Sequence, residues 1–309
     1  AFFHNLSYLF LNRKNTPLEK LLWRIVSDGS ERFDTHFDLA VSYIEGGSAY
    51  YVHDHVSAAK KAAFVHVDYV QAGYTRRLDK DCYVDFDRIF AVSDETAGVL
   101  AGVYPECQQK LSVFHNLIDT EAIRQKALLP AEKSMHEGIR LLTVGRLTPQ
   151  KGFDCAVYAL KLLLEKQYPV YWYIIGEGPE YGRLTQLARS LHVEDHFIFL
   201  GMQTNPYPYF KMADFYIHAT RFEGKSIAIQ EAQVLGCAIA ASDCSGNREQ
   251  IVSGVDGLLC PFSPEGIANA VEYLIEHPQT AQSFGRAAAQ KACHFENDIH
   301  MIRDLLYSP

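Results

Sequence analysis

The C-terminal half of this 309-residue chain alternates between short apolar runs and longer amphipathic stretches. The apolar runs predict strands at residues 139–145, 170–176, 196–200, 213–218, 238–242 and 257–260. The stretches between and after them predict helices at residues 153–166, 181–191, 205–211, 226–235, 264–276 and 278–294. Strands that alternate with helices form a parallel sheet covered on both faces. This half of the chain is therefore predicted to be a Rossmann-like α/β domain.

The N-terminal half shows the same alternation over shorter stretches. Its apolar runs predict strands at residues 37–44, 62–67, 88–92 and 111–114. Ser93 or Asp94 is expected to cap a helix through Leu100, because serine and aspartate accept hydrogen bonds from the free N–H groups of a helix start. The polar stretch around Pro130 is predicted to link the two halves.

The predicted fold class is α/β, with two Rossmann-like domains that face a cleft. The domains are predicted at residues 1–118 and 138–294, with a linker at residues 119–137. Residues 295–309 are expected to pack back on the first domain. Ligands bind in this architecture beyond the carboxyl ends of the strands, so the cleft is the predicted site.

Charge and cysteine content exclude several classes of protein. A net charge of −8 and a pI near 5.9 argue against a general nucleic-acid binder, which would carry a basic stripe. The seven cysteines are an odd number and include no C-x-x-C pair, which favours reduced thiols over a disulfide framework or a zinc site. The sequence shows no apolar run of the roughly 18 residues that span a bilayer and no signal peptide, so a cytoplasmic protein is expected.

Two glutamates, Glu223 and Glu231, bracket seven residues at the junction of a predicted strand and a predicted helix. At a helical rise of 1.5 Å per residue they lie roughly 8–12 Å apart along the axis. Between them the helix start presents free N–H groups to an anion. These belong to Gly224, Lys225, Ser226 and Ile227. A phosphate flanked by two polyols fits this layout, and a nucleotide-sugar is such a ligand.

The segment resembles the Glu-x7-Glu signature of retaining glycosyltransferases of family 4, which have the two-domain GT-B fold. Residues 144–152 resemble that family's strand and Gly-Arg…Lys-Gly phosphate loop, and residues 174–180 resemble its central strand and Gly-x-Gly turn. The three segments cover roughly residues 137–290, in the family's order and spacing. The resemblance implies a hexosyltransferase that takes its sugar from a nucleotide-diphosphate donor, UDP- or GDP-linked, and uses neither metal nor cofactor.

The resemblance also implies roles for single residues in the C-terminal half. Glu223 corresponds to the family's acceptor of sugar hydroxyls at the reacting end, and Glu231 to its acceptor of ribose hydroxyls. Contacts to the nucleotide base and phosphates are implied for Gly176, Gly178, Leu200 and Gly201.

Arg146 and Lys151 stand five residues apart across a strand–loop–helix turn. If this loop faces the cleft, both cations converge on one pyrophosphate and stabilise the charge of the leaving nucleoside diphosphate. The alternative is two surface charges near a helix start.

His66 ends a predicted strand and resembles the strand-end histidine that points toward the donor sugar in the family's N-terminal domain. A histidine that only stabilises the structure is the alternative. Asp68 is a weaker candidate, for binding the acceptor. A metal site built on His66 and Asp68 is a rival interpretation that lacks a third ligand at a suitable spacing.

The beginning of the chain departs from the family pattern. Ala1 opens within an element, so the first one or two βα units of the N-terminal, acceptor-side domain are expected to be missing. Residues 8–27 combine leucines with lysines and arginines. Such a basic amphipathic helix can lie on the inner face of a membrane, although an ordinary helix that packs on its domain is the more frequent case.

The sequence thus predicts transfer of a hexose to a glycan or lipid-linked glycan, with no nucleic-acid partner. Two alternatives stay open. A nucleotide-sugar epimerase shares the fold but needs additional acid–base groups, and a non-catalytic nucleotide-sugar-binding scaffold needs none.

Overall fold

The computed structural model of the protein describes residues 26–27, 29–292 and 298–307. The chain divides into two compact units, one formed by Ala1–Leu117 with Glu296–Pro309 and the other by Ile118–Phe295. The basic stretch at residues 8–27 lies outside the described residues, except for its last two. None of the helices in the described part of the chain is long and apolar enough to cross a bilayer.

Ten strands are described in chain order: β1 (His36–Ser42), β2 (Ser57–Val65), β3 (Arg88–Ala91), β4 (Leu111–Val113), β5 (Ile139–Val144), β6 (Val170–Ile175), β7 (Phe197–Gly201), β8 (Phe215–His218), β9 (Ala238–Ser242) and β10 (Leu258–Cys260). The described helices are α1 (Gly47–His55), α2 (Arg76–Asp79), α3 (Asp94–Val103), α4 (Thr120–Lys126), α5 (Phe153–Glu165), α6 (Tyr181–Ser190), α7 (Tyr207–Met212), α8 (Ile227–Val234), α9 (Ser245–Arg248), α10 (Pro264–Glu276), α11 (Pro278–Ala292) and α12 (Ile299–Tyr307).

The first unit contains a four-stranded parallel sheet in the order β1-β2-β3-β4. One face packs against α1 and α3 through a cluster that includes Tyr50, Ile89 and Leu100. Ser93 caps α3 as expected, since its Oγ accepts the N–H of Thr96 at 3.1 Å.

Helix α12 covers the opposite face of this first sheet. Its Leu305 is buried with Phe64 and Phe90, and the Leu305 carbonyl accepts a hydrogen bond from Lys60 Nζ at 2.9 Å. The C-terminal residues therefore lie with the first unit, although the chain reaches them only after the second.

The second unit contains a six-stranded parallel sheet in the order β10-β9-β8-β5-β6-β7. From β5 the chain proceeds outward through β6 and β7, and it then returns to β8 on the other side of β5. The loops after β5 and β8 consequently leave neighbouring strands in different directions. Such a switch point is where open α/β sheets bind ligands.

Both faces of the second sheet are buried. Trp172 and Leu160 belong to the cluster on one face, and Tyr173 and Ile239 to the cluster on the other. Strands that are buried on both sides need almost continuous apolar sequence, which explains the pattern seen in this half of the chain. The prediction of two parallel α/β sheets is confirmed.

Residues 119–137, predicted as a linker, fall within the second unit. Asp119 caps α4 by accepting the N–H of Ala122 at 2.9 Å, and Ile123 packs with Val234 and Ala292. Helix α4 is about two turns long, is mostly polar and buries one apolar residue, so its sequence resembles that of a linker.

Candidate active site

The loops that follow β5 and β8 are bonded to each other at the switch point of the second sheet. The backbone N–H of Arg221 donates to the Gln150 carbonyl at 2.8 Å, and the Gln150 side-chain amide donates to the Phe222 carbonyl at 3.0 Å. Thr220 Oγ1 donates to the same Gln150 carbonyl at 3.1 Å. These reciprocal bonds place the loop that carries Lys151 directly against the loop that carries Glu223.

Arg221 fastens the two loops further. Its guanidinium donates to both carboxylate oxygens of Asp154, at 3.0 and 2.8 Å, and lies over the ring of Phe262 with 5.0 Å to the centroid. Gly152 makes the close approach possible, because its φ is +62° and an added Cβ would lie 2.4 Å from the Ala219 carbonyl. Arg221 thus has a structural role at the base of the site.

Glu223 is buried where the two loops meet. Its carboxylate forms an ion pair with Lys151 and lies 3.4 Å from His218 Nε2. Burial alone raises the pKa of a carboxyl group, but the hydrogen bond from His218 and the charge of Lys151 outweigh it and lower the pKa of Glu223 to about 2. Glu223 is therefore a charged acceptor at neutral pH.

His218 was not among the residues singled out from the sequence. It is the last residue of β8, its exposure is 2%, and its Nδ1 lies 3.2 Å from the Tyr216 hydroxyl. Burial lowers the pKa of His218, so the ring is neutral and can donate from Nε2 to Glu223 while Nδ1 accepts from Tyr216. The available signal was a histidine at the carboxyl end of a buried strand, five residues before Glu223.

Lys151 and Arg146 occupy different environments, although both leave the same loop. The methylene groups of the Lys151 side chain pass about 4 Å from where a side chain at Gly145 would begin. The ammonium group of Lys151 reaches Glu223. Its side chain is 16% exposed. Arg146 is exposed. The structure therefore shows one cation committed to a carboxylate and one directed to solvent, rather than two already converged.

The Gly-x-Gly turn after β6 lies against the loop after β5. A Cβ added to Gly176 would lie 2.1 Å from the Gly145 carbonyl oxygen, and a Cβ added to Gly178 would lie 2.5 Å from the Leu147 carbonyl oxygen. Both residues also have a positive φ, +139° at Gly176 and +159° at Gly178. Each position therefore requires glycine both for its backbone conformation and for lack of space.

A cavity of about 490 Å³ opens beside this turn. It is lined by Gly176, Glu177, Gly178, Tyr181, Phe199, Leu200 and Gly201. The structure thus brings together, around one cavity, the four residues predicted to contact the base and phosphates.

Helix α8 begins at the predicted anion position. Ser226 caps it, with Oγ accepting the N–H of Ile229 at 3.4 Å. Gly224 is buried, Lys225 is half-buried and Ile227 is exposed. Of these four residues, Lys225 and Ile227 are therefore the ones accessible to a ligand.

Glu231 lies farther along α8 and differs from Glu223 in its partners. Its Oε1 accepts a hydrogen bond from the Tyr207 hydroxyl at 2.9 Å. Burial raises the pKa of Glu231, and the bond from Tyr207 only partly opposes this. The two glutamates of the signature are therefore electrostatically unlike.

His66 and Asp68 follow β2 in the first unit. His66 comes directly after the strand, as predicted, and its side chain is 25% exposed. Asp68 is buried and accepts hydrogen bonds from the backbone N–H and side-chain amide of Gln71, at 3.0 and 2.9 Å, so its carboxylate stabilises a turn. Within the described residues no cluster of three metal-ligating side chains occurs, and the rival metal pair gains no third ligand.

Two parallel α/β sheets, the second with a switch point lined by polar loops, define a protein of the GT-B class of two-domain folds. The chain belongs to the family of glycosyl transferases group 1, whose model matches residues 124–291. That match covers every predicted site residue except His66 and the weaker candidate Asp68.

Similar proteins are found both among curated sequences and among solved structures. One is a Campylobacter jejuni protein, N-acetylgalactosamine-N,N'-diacetylbacillosaminyl-diphospho-undecaprenol 4-alpha-N-acetylgalactosaminyltransferase, 30% identical over 200 residues that cover 64% of this chain and 53% of the relative. Another is an uncharacterised glycosyltransferase of Methanocaldococcus jannaschii, 25% identical over 180 residues that cover 57% and 42%. The chain spans about half the length of these curated relatives.

The crystal structure of Anabaena HepE in complex with UDP-glucose has a TM-score of 0.72 to this chain. The identity is 18%, over 94% of this chain and 83% of HepE. At that identity the likeness establishes the fold.

Proposed function

We propose that this chain is a retaining, metal-independent glycosyltransferase. It transfers a hexose from a UDP- or GDP-sugar to a hydroxyl of a glycan or lipid-linked glycan. The observation that carries the proposal is the buried Glu223 carboxylate, held charged by Lys151 and His218 beside the start of α8. A charged acceptor next to free helix N–H groups suits a ligand that presents hydroxyls on one side of a phosphate.

The diphosphate is bound by Arg146, Lys151 and the N–H groups at residues 224–227. Lys151 keeps its bond to Glu223 and also donates to a phosphate oxygen when the donor binds, since an ammonium ion has three N–H donors and can bridge both groups. Arg146, which is exposed, moves onto the same anion. Fixed cations and helix N–H groups supply the charge stabilisation that a divalent ion would otherwise provide.

The two glutamates take the two polyols. Glu223, charged and bonded to His218, accepts hydrogen bonds from hydroxyls of the hexose. Glu231, bonded to Tyr207, accepts from the ribose. The cavity beside Gly176 and Leu200 takes the base.

In the proposed reaction the bond between the anomeric carbon and the leaving phosphate oxygen breaks, and the acceptor oxygen bonds to the anomeric carbon on the same face. The acceptor proton passes to the leaving phosphate oxygen. Proton and charge balance without a protein base. Arg146, Lys151 and the start of α8 stabilise the diphosphate as its charge develops.

The relatives support this choice over the alternatives. HepE was crystallised with UDP-glucose, and the name of the Campylobacter relative specifies transfer to an undecaprenol-linked acceptor. For this chain, the first supports a sugar-nucleotide donor and the second supports a glycan or lipid-linked acceptor. An epimerase or a binding scaffold finds no comparable support in these names.

The test is to measure consumption of a panel of UDP- and GDP-sugars with and without glycan acceptors. A transferase consumes one donor much faster when an acceptor is present, whereas an epimerase converts the donor alone and a scaffold converts none. Glu223→Gln is expected to abolish most transfer while nucleoside-diphosphate binding persists. Glu249→Gln, on the exposed surface after α9, is the matched control. Product with inverted anomeric configuration would contradict the retaining mechanism.

A further inference from the structure

Glu45 is a buried carboxylate that the predicted site does not include. It follows β1 and precedes Gly46, at the start of α1. Its side chain is 8% exposed, and its Oε2 accepts the backbone N–H of His66 at 2.9 Å. A buried carboxylate needs such partners, because an uncompensated one is strongly destabilising. The loop after β1 is thereby attached to the end of β2.

The imidazole of His66 lies beside the same carboxylate with one nitrogen unused. Nδ1 is 3.9 Å from Glu45 Oε2, is buried, and has no hydrogen-bond partner among the described residues. The ring is flanked by Tyr43, with centroids 5.1 Å apart, and by Phe64, with centroids 5.8 Å apart and planes at 22°. Aromatic packing therefore sets the plane of a ring whose buried nitrogen faces an acceptor.

We infer that Glu45 is a positioning residue that holds His66 as an acceptor for a substrate hydroxyl. A shift of about 1 Å brings Nδ1 within hydrogen-bond distance of Glu45. The proton then resides on Nδ1, and Nε2 keeps its lone pair. Because Nδ1 is the buried side of a ring that is a quarter exposed, the accessible side is that of Nε2. This role rests on the proposed function, which supplies a substrate that carries hydroxyls.

The electrostatics of the pair agree with the geometry. Burial lowers the pKa of His66, and the Glu45 carboxylate opposes that shift. The carboxylate of Glu45 faces the Nδ1 side of the ring, and the phenol ring of Tyr43 packs beside it. Glu45 therefore acts on the imidazole in two ways, by selecting its tautomer and by opposing the loss of basicity that burial causes.

The first test is independent of any enzymatic activity. Nitrogen-15 NMR of histidine-labelled full chain should show His66 as the Nδ1–H tautomer, and Glu45→Gln should lower its pKa by about one unit. Asp87→Asn is the matched control, because Asp87 also accepts a backbone N–H, from Lys61 at 2.7 Å, in the middle of β2 and five residues before His66. An Nε2–H tautomer in the unaltered chain, which needs no variant to fold, overturns the inference. A His66 pKa that Glu45→Gln leaves unchanged overturns it as well.

The second test is a double-mutant cycle on transfer. Glu45→Gln and His66→Ala should each lower kcat about tenfold, the effect of one lost hydrogen bond, without changing nucleoside-diphosphate affinity. Because Glu45 acts through His66, the double variant should be no slower than His66→Ala alone, and Asp87→Asn should match the unaltered chain. Multiplied losses in the double variant overturn the inference. If the unaltered chain transfers no sugar, the proposed function fails, while the NMR test still decides the role of Glu45.

Discussion

Glu223 and Glu231 have the same side chain and stand eight positions apart, yet their environments shift the two pKa values in opposite directions. Glu223 has a cation and an imidazole N–H as partners, whereas Glu231 has one phenol. Burial is the largest single influence on both. The number and charge of the partners therefore decide the direction in which each pKa shifts.

The depressed pKa of Glu223 predicts a stability difference that depends on pH. A carboxyl whose pKa falls from about 4.5 to about 2 on folding stabilises the native state above the higher value, and this contribution disappears as pH falls through the lower one. Glu223→Gln should therefore cost on the order of 3 kcal/mol in unfolding free energy at pH 7 and progressively less between pH 4.5 and 2. Urea unfolding of both chains across this range measures it.

Glu231→Gln is the control with the opposite sign. A carboxyl whose pKa is raised on folding loses stability as pH rises through its folded pKa, so this variant should be relatively more stable above pH 4.5 than below it. Parallel pH profiles for the two variants would contradict the electrostatic assignment.

The ion pair between Lys151 and Glu223 predicts a specific rescue of donor binding. Lys151→Ala removes a phosphate ligand and also leaves a buried negative charge beside the diphosphate. Adding Glu223→Gln should restore part of the lost affinity, because it removes that charge. The same addition should not rescue Arg146→Ala, whose loss is expected to cost about 1.5–3 kcal/mol.

Calorimetric titration with UDP and GDP measures the affinity lost in Lys151→Ala, the part restored by adding Glu223→Gln, and the loss in Arg146→Ala. Equal affinities for Lys151→Ala with and without Glu223→Gln would show that Lys151 and Glu223 act independently on the nucleotide.

At the scale of secondary-structure elements, the sequence was sufficient where burial was complete. Strand β9 and helix α10 have the predicted bounds, at residues 238–242 and 264–276. Within the described residues, every other predicted strand and helix overlaps an observed one, with ends that differ by at most five residues. An apolar run that must fill both sides of a sheet has few alternatives.

Helices whose start lacks a capping signal could not be predicted in the same way. Helix α1 begins at Gly47, directly after Gly46, and has no side-chain cap. The role of Glu45 was also not predictable, because it depends on a contact between the loop after β1 and the end of β2. The role of His218 depends on how the loop after β8 turns back to bring Glu223 against the end of that strand. Spacing along a chain indicates which residues share an element, but not which side chain reaches across from the next.

The Gly-x-Gly turn predicts unequal effects of the same substitution at two neighbouring positions. Gly178→Ala should be strongly destabilising, since its Cβ would lie 2.5 Å from the Leu147 carbonyl at a φ of +159°. Gly182→Ala, in α6 with nothing within 4 Å, should stabilise by about 0.5–1 kcal/mol through higher helix propensity.

Urea midpoints of the two variants, with nucleoside-diphosphate affinity measured in parallel, test this contrast. A well-folded Gly178→Ala chain that binds nucleotide normally would mean that the turn is not packed as described.

At the scale of the whole molecule, activity is predicted to be independent of divalent ions. In the part of the chain that the structure describes, the carboxylates of Glu223 and Glu231 are engaged with protein partners, and the candidate phosphate ligands are cations and N–H groups. Transfer should therefore be unchanged after exhaustive treatment with EDTA. Loss of activity that Mg²⁺ or Mn²⁺ restores would show that an ion carries the charge of the leaving group, and would replace Arg146 and Lys151 in that role.

The bonds that fasten the loop after β5 to the loop after β8 have a kinetic consequence. Bonds from Arg221, Gln150 and Thr220 hold these loops together in the ligand-free protein. The backbone of the diphosphate site is therefore preorganised. Only the side chains of Lys151 and Arg146 must turn, and such rotations take nanoseconds or less. Nucleoside diphosphate should then associate in one exponential phase whose rate rises linearly with concentration, and weaker variants should differ mainly in how fast the nucleotide leaves.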